Sequence, residues 1–388
     1  MLSDLNKVET FPPKKIITKD NWLHSEENLR AYTHRSDFGA TRTIWRGQQQ
    51  PTLLTYDNHY LDLTNIMTEQ GNLVSDYLEE TNTDAFIITR KGKIVYEDYF
   101  NGYLYYEPHA LNSASKSFVG VLVALMVHEG LLDLNKKSAY YLPELEGTGL
   151  GNGTIQQLLD MQVPVTFPPV ETPFGFGRGT PILIATGSIL KPKGYKGPEN
   201  IYEFILANQS AGTPGTVFKY ENAQTETLAW IMKRVTGKNL AQLIQEMIWM
   251  KVGAEENALI HIDPIGTDVA SGGMRATLRD LARFGEMMLH RGYYNKQQII
   301  PEVLFRDTLR GSNREMLAKS ADHYVKEYSY HNHWWIANND YAAYAARGKF
   351  NQEIYIAPNA EVVIVKLSTY IHPTVGEPYY DAIIRHLL

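Results

Sequence analysis

The chain contains no cysteine, which excludes disulfides, thiolate metal sites and a cysteine nucleophile. No apolar run approaches the roughly 18 residues of a membrane span. The longest, Phe118 to Val127, is too short for that and is expected to be a buried helix. A basic excess is missing too: the net charge of −6 carries no footprint for nucleic acid. The opening residues, Met1 to Lys15, hold no continuous hydrophobic stretch, so a secretory signal is not expected and the cytoplasm is the expected compartment.

What is present is ordinary in bulk and specific in places. With 388 residues, 44% of them hydrophobic and 21% charged, the chain can bury a large core in one two-lobed domain or in two to three ordinary ones. Residues 1–75 are polar, carry several aromatics and contain Pro12, Pro13 and Pro51, which reads as an extension wrapping the core with little regular structure. Residues 84–99 alternate strongly around Lys91-Gly92-Lys93, predicting a β-hairpin. A helix apolar nearly all round follows, ending at Gly130, and such a helix belongs in the middle of a fold.

From Asp133 to Glu286 helical patterns dominate, at Thr154–Met161, Ile201–Ala207, Ala223–Val235, Asn239–Trp249 and Thr277–His290. Val163–Pro198, rich in Pro, Gly, Phe and Thr, reads as a long irregular excursion of the kind that forms functional lids. Strand patterns return at Ser329–Trp335, Asn351–Ile356 and Val362–Leu367, before a terminal helix over Tyr380–Leu388. The order predicts an α+β fold. An antiparallel sheet is assembled from residues 76–132 and 287–388, flanked by helices, with an all-helical lobe, 133–286, inserted.

Three elements carry candidate chemistry. Ser113 and Lys116 stand three apart at the head of the apolar helix, and residues i and i+3 share a helix face. A desolvated lysine at the positive end of a helix loses its preference for the charged form and can take the serine's proton. The Ser113 N–H can also point at a carbonyl oxygen and form half an oxyanion hole. The bland alternative is an N-cap serine and a surface lysine. A second Ser-x-x-Lys, Ser188 to Lys191, is followed by Pro192 and flanked by Gly187 and Gly194, so no helix is expected there and that copy is chance.

The second element is Tyr220-Glu221-Asn222, directly before the Ala223 helix. Tyr-x-Asn also occurs at Tyr56–Asn58 and Tyr293–Asn295, so position gives Tyr220 its interest. A helix N-terminus and a nearby lysine favour a phenolate that could shuttle a proton. A tyrosine anchoring a loop is the alternative. The third element is Arg347-Gly348-Lys349, opening a strand pattern, where the glycine permits close backbone approach and the basic side chains would attract an anion. The alternative is a Gly-containing hairpin entry. Gly147–Gly153 resembles a phosphate loop but lacks the preceding strand and the closing Lys-Ser/Thr, and reads as a flexible turn. His331-Asn332-His333 lacks partner ligands, so no metal is expected there, and no cofactor is expected elsewhere.

A buried Ser-x-x-Lys helix, a later Tyr-x-Asn and a late strand with a basic, Gly-containing edge resemble the penicillin-recognising serine hydrolases: class C β-lactamases, DD-peptidases and related esterases. Asn152–Asp160, Trp230–Gly237 and Ser271–Gly285 resemble recurring segments of that superfamily's helical lobe. Within it, the chain is most similar to the 6-aminohexanoate-dimer (nylon-oligomer) hydrolases, over roughly residues 80–388.

The resemblance implies Ser113 as the acylated nucleophile, Lys116 as its activating amine, Tyr220 as general base and acid, and Asn222 orienting the substrate amide. It implies an oxyanion hole from the N–H groups of Ser113 and a late-strand residue, Lys349. The Lys-Thr-Gly of the lactamases is absent and Arg347-Gly348-Lys349 stands nearby, which leaves open which basic residue supports Tyr220.

The expected activity is hydrolysis of small linear amides or esters through an acyl-serine. Alternatives are acyl transfer from the same intermediate, β-lactamase or DD-peptidase-like activity, and a non-catalytic sensor of the same fold. The expected partner is a small-molecule amide or ester, not nucleic acid or membrane, and a homodimer is left open.

Overall fold

The computed structural model describes residues 39–168, 180–311, 314–320 and 327–388, together with Lys19. Nearly all of 1–38, and residues 169–179 of the Pro/Gly-rich excursion, lie outside the described residues.

Period-two alternation builds the central sheet. In strand Thr83–Arg90, Ala85 and Ile87 enter one apolar cluster while Phe86 and Ile88 enter the other. In Val362–Ser368, Val363 and Val365 go to the first face and Val362 and Ile364 to the second. Side chains of successive strand residues point to opposite faces, so strands this apolar require cover on both sides. Helix Leu278–Leu289 covers one face, with Gly285 letting it approach Val363; helix Glu377–Leu387 covers the other through Tyr380, Ile383 and Ile384.

The sheet has eight strands, in the order Ser329–His331, Trp334–Ile336, Tyr344–Gly348, Gln352–Ala357, Val362–Ser368, Thr83–Arg90, Lys93–Tyr99 and Thr55–Tyr56. It is antiparallel as expected except at one edge, where Thr55–Tyr56 runs parallel to Lys93–Tyr99. The predicted hairpin is present, with Lys91 and Gly92 both at positive φ in its two-residue turn.

Several boundaries differ from the sequence reading, each for a local reason. Ser329–Trp335 is a hairpin and not one strand, because Asn332 (φ 52°) and His333 (φ 64°) reverse the chain between Ser329–His331 and Trp334–Ile336. Residues 39–75 carry regular structure: Thr41–Ile44 joins a second sheet of four strands with Ala258–His261, Met274–Ala276 and His109–Ala110. Two of those strands fall within the stretch expected to be helical. At three and four residues they are too short to show a period. Gly147–Gly153 is not a loose turn. Gly149–Asn152 is a short helix capped by the Thr148 side chain, and a Cβ on Gly151 would stand 1.8 Å from the Leu145 carbonyl oxygen.

The apolar helix, Ser115–His128, crosses the interior with Phe118, Val119, Leu122, Val123 and Met126 buried. Helix Asn222–Thr236 packs against it. No helix among the described residues is long and apolar enough to cross a membrane.

Gly120 lets this helix meet the 332–333 turn. A Cβ there would lie 2.2 Å from the Asn332 carbonyl oxygen, and the adjacent Ser117 hydroxyl donates to the His333 carbonyl at 2.7 Å. Gly120→Ala is therefore expected to cost about 2–3 kcal/mol, read as a lower urea midpoint. An unchanged midpoint would contradict this contact.

Candidate active site

Ser113 sits one step outside the helix proper. Asn112–Ala114 forms a 3-10 turn, Asn112 holds φ 48°, and the α-helix begins at Ser115. Asparagine tolerates the left-handed region better than most residues, and its turn is tied down on both sides. The Ser115 hydroxyl donates to the Asn112 carbonyl at 2.7 Å, and Asn112 Nδ2 donates to the Lys349 carbonyl at 2.9 Å. Gly348 presses on the same turn: a Cβ there would come within 2.1 Å of the Leu111 carbonyl oxygen. The late strand Tyr344–Gly348 therefore meets the serine turn backbone to backbone, which a side chain at 348 would prevent.

Lys116 is 1% exposed, and its Nζ stands 2.9 Å from Ser113 Oγ. The same nitrogen donates to the Ser271 carbonyl at 2.6 Å and lies 5.0 Å from the Tyr220 ring centroid. Burial pushes the lysine pKa down from an ordinary 10.5 to about 7, against the opposing pull of the Glu226 and Glu221 carboxylates. His333 lies near the same amine with Nε2 3.1 Å from Thr225 Oγ1, and burial and the lysine charge push its pKa down to about 3. The histidine is thus neutral beside the amine across the physiological range.

Tyr220 packs its ring against Trp335 (5.9 Å between centroids, stacked) and edge-on to Tyr330 (6.0 Å). Two residues on, Asn222 opens its helix. Ser113, Tyr220, Glu221, Asn222 and the 347–353 corner line one cavity of about 480 Å³, with apolar cover from Ile182, Trp335, Phe350, Ile371 and Pro373. A volume of this order suits a small organic substrate. A cavity of about 630 Å³ is bounded by Phe167, Pro181, Lys196 and Phe204, and no serine is among the described residues that line it.

All seven sequence-predicted positions come near this cavity, but not in equal condition. Gly348 and Lys349 line it, with Lys349 Nζ over the Phe350 ring at 5.1 Å. Arg347 is buried and engaged elsewhere: its guanidinium donates to Glu377 at 2.8 Å, lies 3.3 Å from Glu353, and stacks over Tyr328. Two carboxylates already answer its charge, so it is a poor anion receptor, contrary to the expectation that its side chain attracts substrate. The second Ser-x-x-Lys is not helical, and the Ser188 hydroxyl meets that of Thr186 at 2.8 Å. His331 lies between the carboxylates of Asp160 (2.8 Å) and Asp307 (3.1 Å), which outweigh burial and push its pKa up.

Sequence reasoning missed the Ser271 carbonyl, Glu226 and His333. Gly272-Gly273 was a usable signal: a Cβ at Gly273 would meet the Val269 carbonyl at 2.5 Å, and adjacent glycines mark backbone brought close to something.

Comparison with known proteins adds an independent line. The family model described as Beta-lactamase matches residues 72–387. The 6-aminohexanoate-dimer hydrolase of Paenarthrobacter ureafaciens is 30% identical over 362 residues, 92% of this chain and 89% of that protein. A solved structure assigned as a 6-aminohexanoate-dimer hydrolase from Bacillus anthracis superposes with TM-score 0.88 and 34% identity, covering 97% of this chain and 98% of that one. A family VIII carboxylesterase shares the fold at TM-score 0.60 and 15% identity, covering 81% and 95% of the two chains.

The buried lysine makes a stability prediction. Unfolded, Lys116 titrates near 10.4; folded, near 7. Between those values the unfolded state binds the extra proton, so stability rises with pH, and the full cost of burying the amine is felt below about pH 7. Lys116→Met is expected to stabilise the protein at pH 6 by on the order of 2 kcal/mol after its lost hydrogen bonds are counted. The gain should fade as pH nears 10, and thermal melts at pH 6 and 9.5 check it: equal gains at both would contradict the depressed pKa. Gly348→Ala should separate the late strand from the serine turn and lower kcat by about 100-fold or more, measured on any turned-over ester.

Proposed function

The chain belongs to the beta-lactamase family and is a hydrolase of that fold, and on this premise we propose that it cleaves small linear amides or esters through an acyl-serine intermediate. The observation that carries the reading is the fully buried Lys116 amine 2.9 Å from Ser113 Oγ, at the wall of the 480 Å³ cavity. An amine with a pKa near 7 is partly unprotonated at neutral pH and can accept the serine proton, whereas an exposed lysine is almost wholly ammonium there.

In this reading Ser113 Oγ attacks the substrate carbonyl carbon while its proton passes to Lys116 Nζ. The oxyanion formed is met by the N–H groups of Ser113 and Lys349, a reading supported by the close approach of Gly348, next to Lys349, to the serine turn. Tyr220, whose ring lies against the lysine amine, relays that proton to the leaving amine or alcohol. Asn222 orients the scissile amide. Water then attacks the acyl-serine, returning its proton along the same path and releasing the acid. Arg347 serves the site indirectly: its pairs with Glu353 and Glu377 hold the strand end that presents Gly348 and Lys349.

The cavity's apolar cover, Trp335, Phe350, Ile371 and Pro373, fits an extended hydrocarbon substrate better than a highly charged one. The relationship to 6-aminohexanoate-dimer hydrolases supports a linear amide as the first substrate to try.

Loss of the nucleophile is expected to lower kcat by on the order of 10⁶-fold. Ser113→Ala should therefore be inert towards p-nitrophenyl esters, and a fluorophosphonate should add to the wild type at Ser113 alone. Parallel assay of linear amides, simple esters and a cephalosporin sets the substrate class. Wild-type turnover by Ser113→Ala would sink the mechanism, and efficient cephalosporin hydrolysis with inert linear amides would reverse the substrate assignment.

A further inference from the structure

One buried charge beside the serine–lysine pair is not used by the steps above. Glu226 is four residues beyond Asn222 on the same helix, so it shares the face that looks towards the cavity, one turn deeper. It is 1% exposed. Its two carboxylate oxygens are each occupied: Oε1 accepts from the Ser271 N–H at 2.9 Å and Oε2 from the Ala270 N–H at 3.0 Å. The carbonyl of that same Ser271 accepts from Lys116 Nζ at 2.6 Å. The stretch it grips continues along the nucleophile's turn, because the Met274 carbonyl accepts from the Leu111 N–H at 3.0 Å and the Met274 N–H donates to the Ser115 hydroxyl at 3.2 Å.

A buried carboxylate costs several kcal/mol in desolvation unless it is paired and fully hydrogen-bonded. Backbone at 270–271 could be held by neutral side chains at less cost. What a carboxylate adds is negative charge placed in a low dielectric beside a lysine that has lost its water.

We propose that Glu226 is a positioning residue for the Ser113–Lys116 pair: it fixes the Ser271 carbonyl that holds the lysine amine, and its charge sets the pH at which that amine gives up its proton. The inference rests on the reading of Ser113 as the acylated nucleophile and Lys116 as its base. Other groups act on the same amine. Glu221 stands on the approach to the Glu226 helix and pulls the same way; neutral His333 comes from the 332–333 turn; Tyr220 offers a ring face. On its far side Glu226 borders a small cavity shared with Lys233 and Asp268, and the Asp268 carboxylate is paired with the Arg42 guanidinium. Burial pushes the Glu226 carboxyl pKa up, while hydrogen bonds from Ser271 and Ala270 and the lysine charge pull it back; among the groups acting on Lys116 it is the one that also hydrogen-bonds the segment touching the amine.

The test is the pH dependence of Ser113 phosphonylation by a fluorophosphonate, in wild type, Glu226→Gln and Glu226→Asp, with the adduct located by peptide mass. Removing a negative charge disfavours the ammonium, so the acid-limb midpoint of Glu226→Gln is expected to fall by about one pH unit. Its plateau rate should fall tenfold or more. Glu226→Asp keeps the charge but retracts it by one methylene, so its midpoint should stay at the wild-type value while its plateau falls. A Glu226→Gln midpoint at the wild-type pH overturns the proposal, whatever that variant's melting temperature, because a merely structural role would lower stability without moving the midpoint. Should Glu226→Gln not fold, Glu226→Asp decides alone: a wild-type plateau or a displaced midpoint overturns the proposal. An adduct outside Ser113 instead overturns the underlying reading of the nucleophile, while an adduct at Ser113 with an unmoved midpoint overturns only the role of Glu226.

Discussion

The structure turns on one interaction: a lysine amine removed from water and held against a serine hydroxyl. Lys116 has no solvent to keep its proton, and its nearest acceptors are Ser113 Oγ and the Ser271 carbonyl. A lysine in this state is unfavourable for folding and useful for chemistry, because the same burial that penalises the ammonium brings its pKa to about 7. Two acidic groups, Glu226 and Glu221, oppose that burial and keep the value from falling further.

Much of the surrounding architecture serves to make that burial possible. The Ser115–His128 helix is apolar on all sides because it is covered on all sides, by helix Asn222–Thr236, by helix Leu278–Leu289 through the Phe118–Phe284 stack at 4.0 Å, and by the 332–333 turn. The eight-stranded sheet brings Gly348 to the serine turn, and the shorter four-stranded sheet delivers the 270–274 segment to the lysine. Two backbone approaches, one at Gly348 and one beside Gly272, close on the same turn from different sheets. Only the first requires glycine: a Cβ on Gly348 would stand 2.1 Å from the Leu111 carbonyl oxygen, whereas one on Gly272 would meet Asn112 at an ordinary 3.5 Å.

What could be read from the sequence was local. The meeting of Ser113 and Lys116 follows from helical spacing, and the hairpin at Lys91–Gly92 from alternation and a turn residue. Helix Asn222–Thr236 was visible to within a residue at each end, since its apolar period is long enough to count. The α+β class followed from the order of such segments. What escaped was set by contacts distant in sequence. The Ser271 carbonyl reaches Lys116 across 155 positions, and nothing near Ser271 announces it except the two glycines that follow. Arg347 looked available beside Lys349, yet its partner Glu377 lies 30 positions on. Short strands such as Ala258–His261 and Met274–Ala276 carry no period to detect, and the turn at Asn332–His333 was hidden inside a run that reads as continuous strand.

The central claim is therefore about one proton equilibrium. It can be observed directly by titrating the Lys116 side chain in ¹³C-lysine-labelled protein, with its Cε resonance assigned by its absence in Lys116→Arg. The account predicts a midpoint near pH 7 for that resonance, well apart from the surface lysines. A Lys116 midpoint near 10.4, together with those surface lysines, would contradict it.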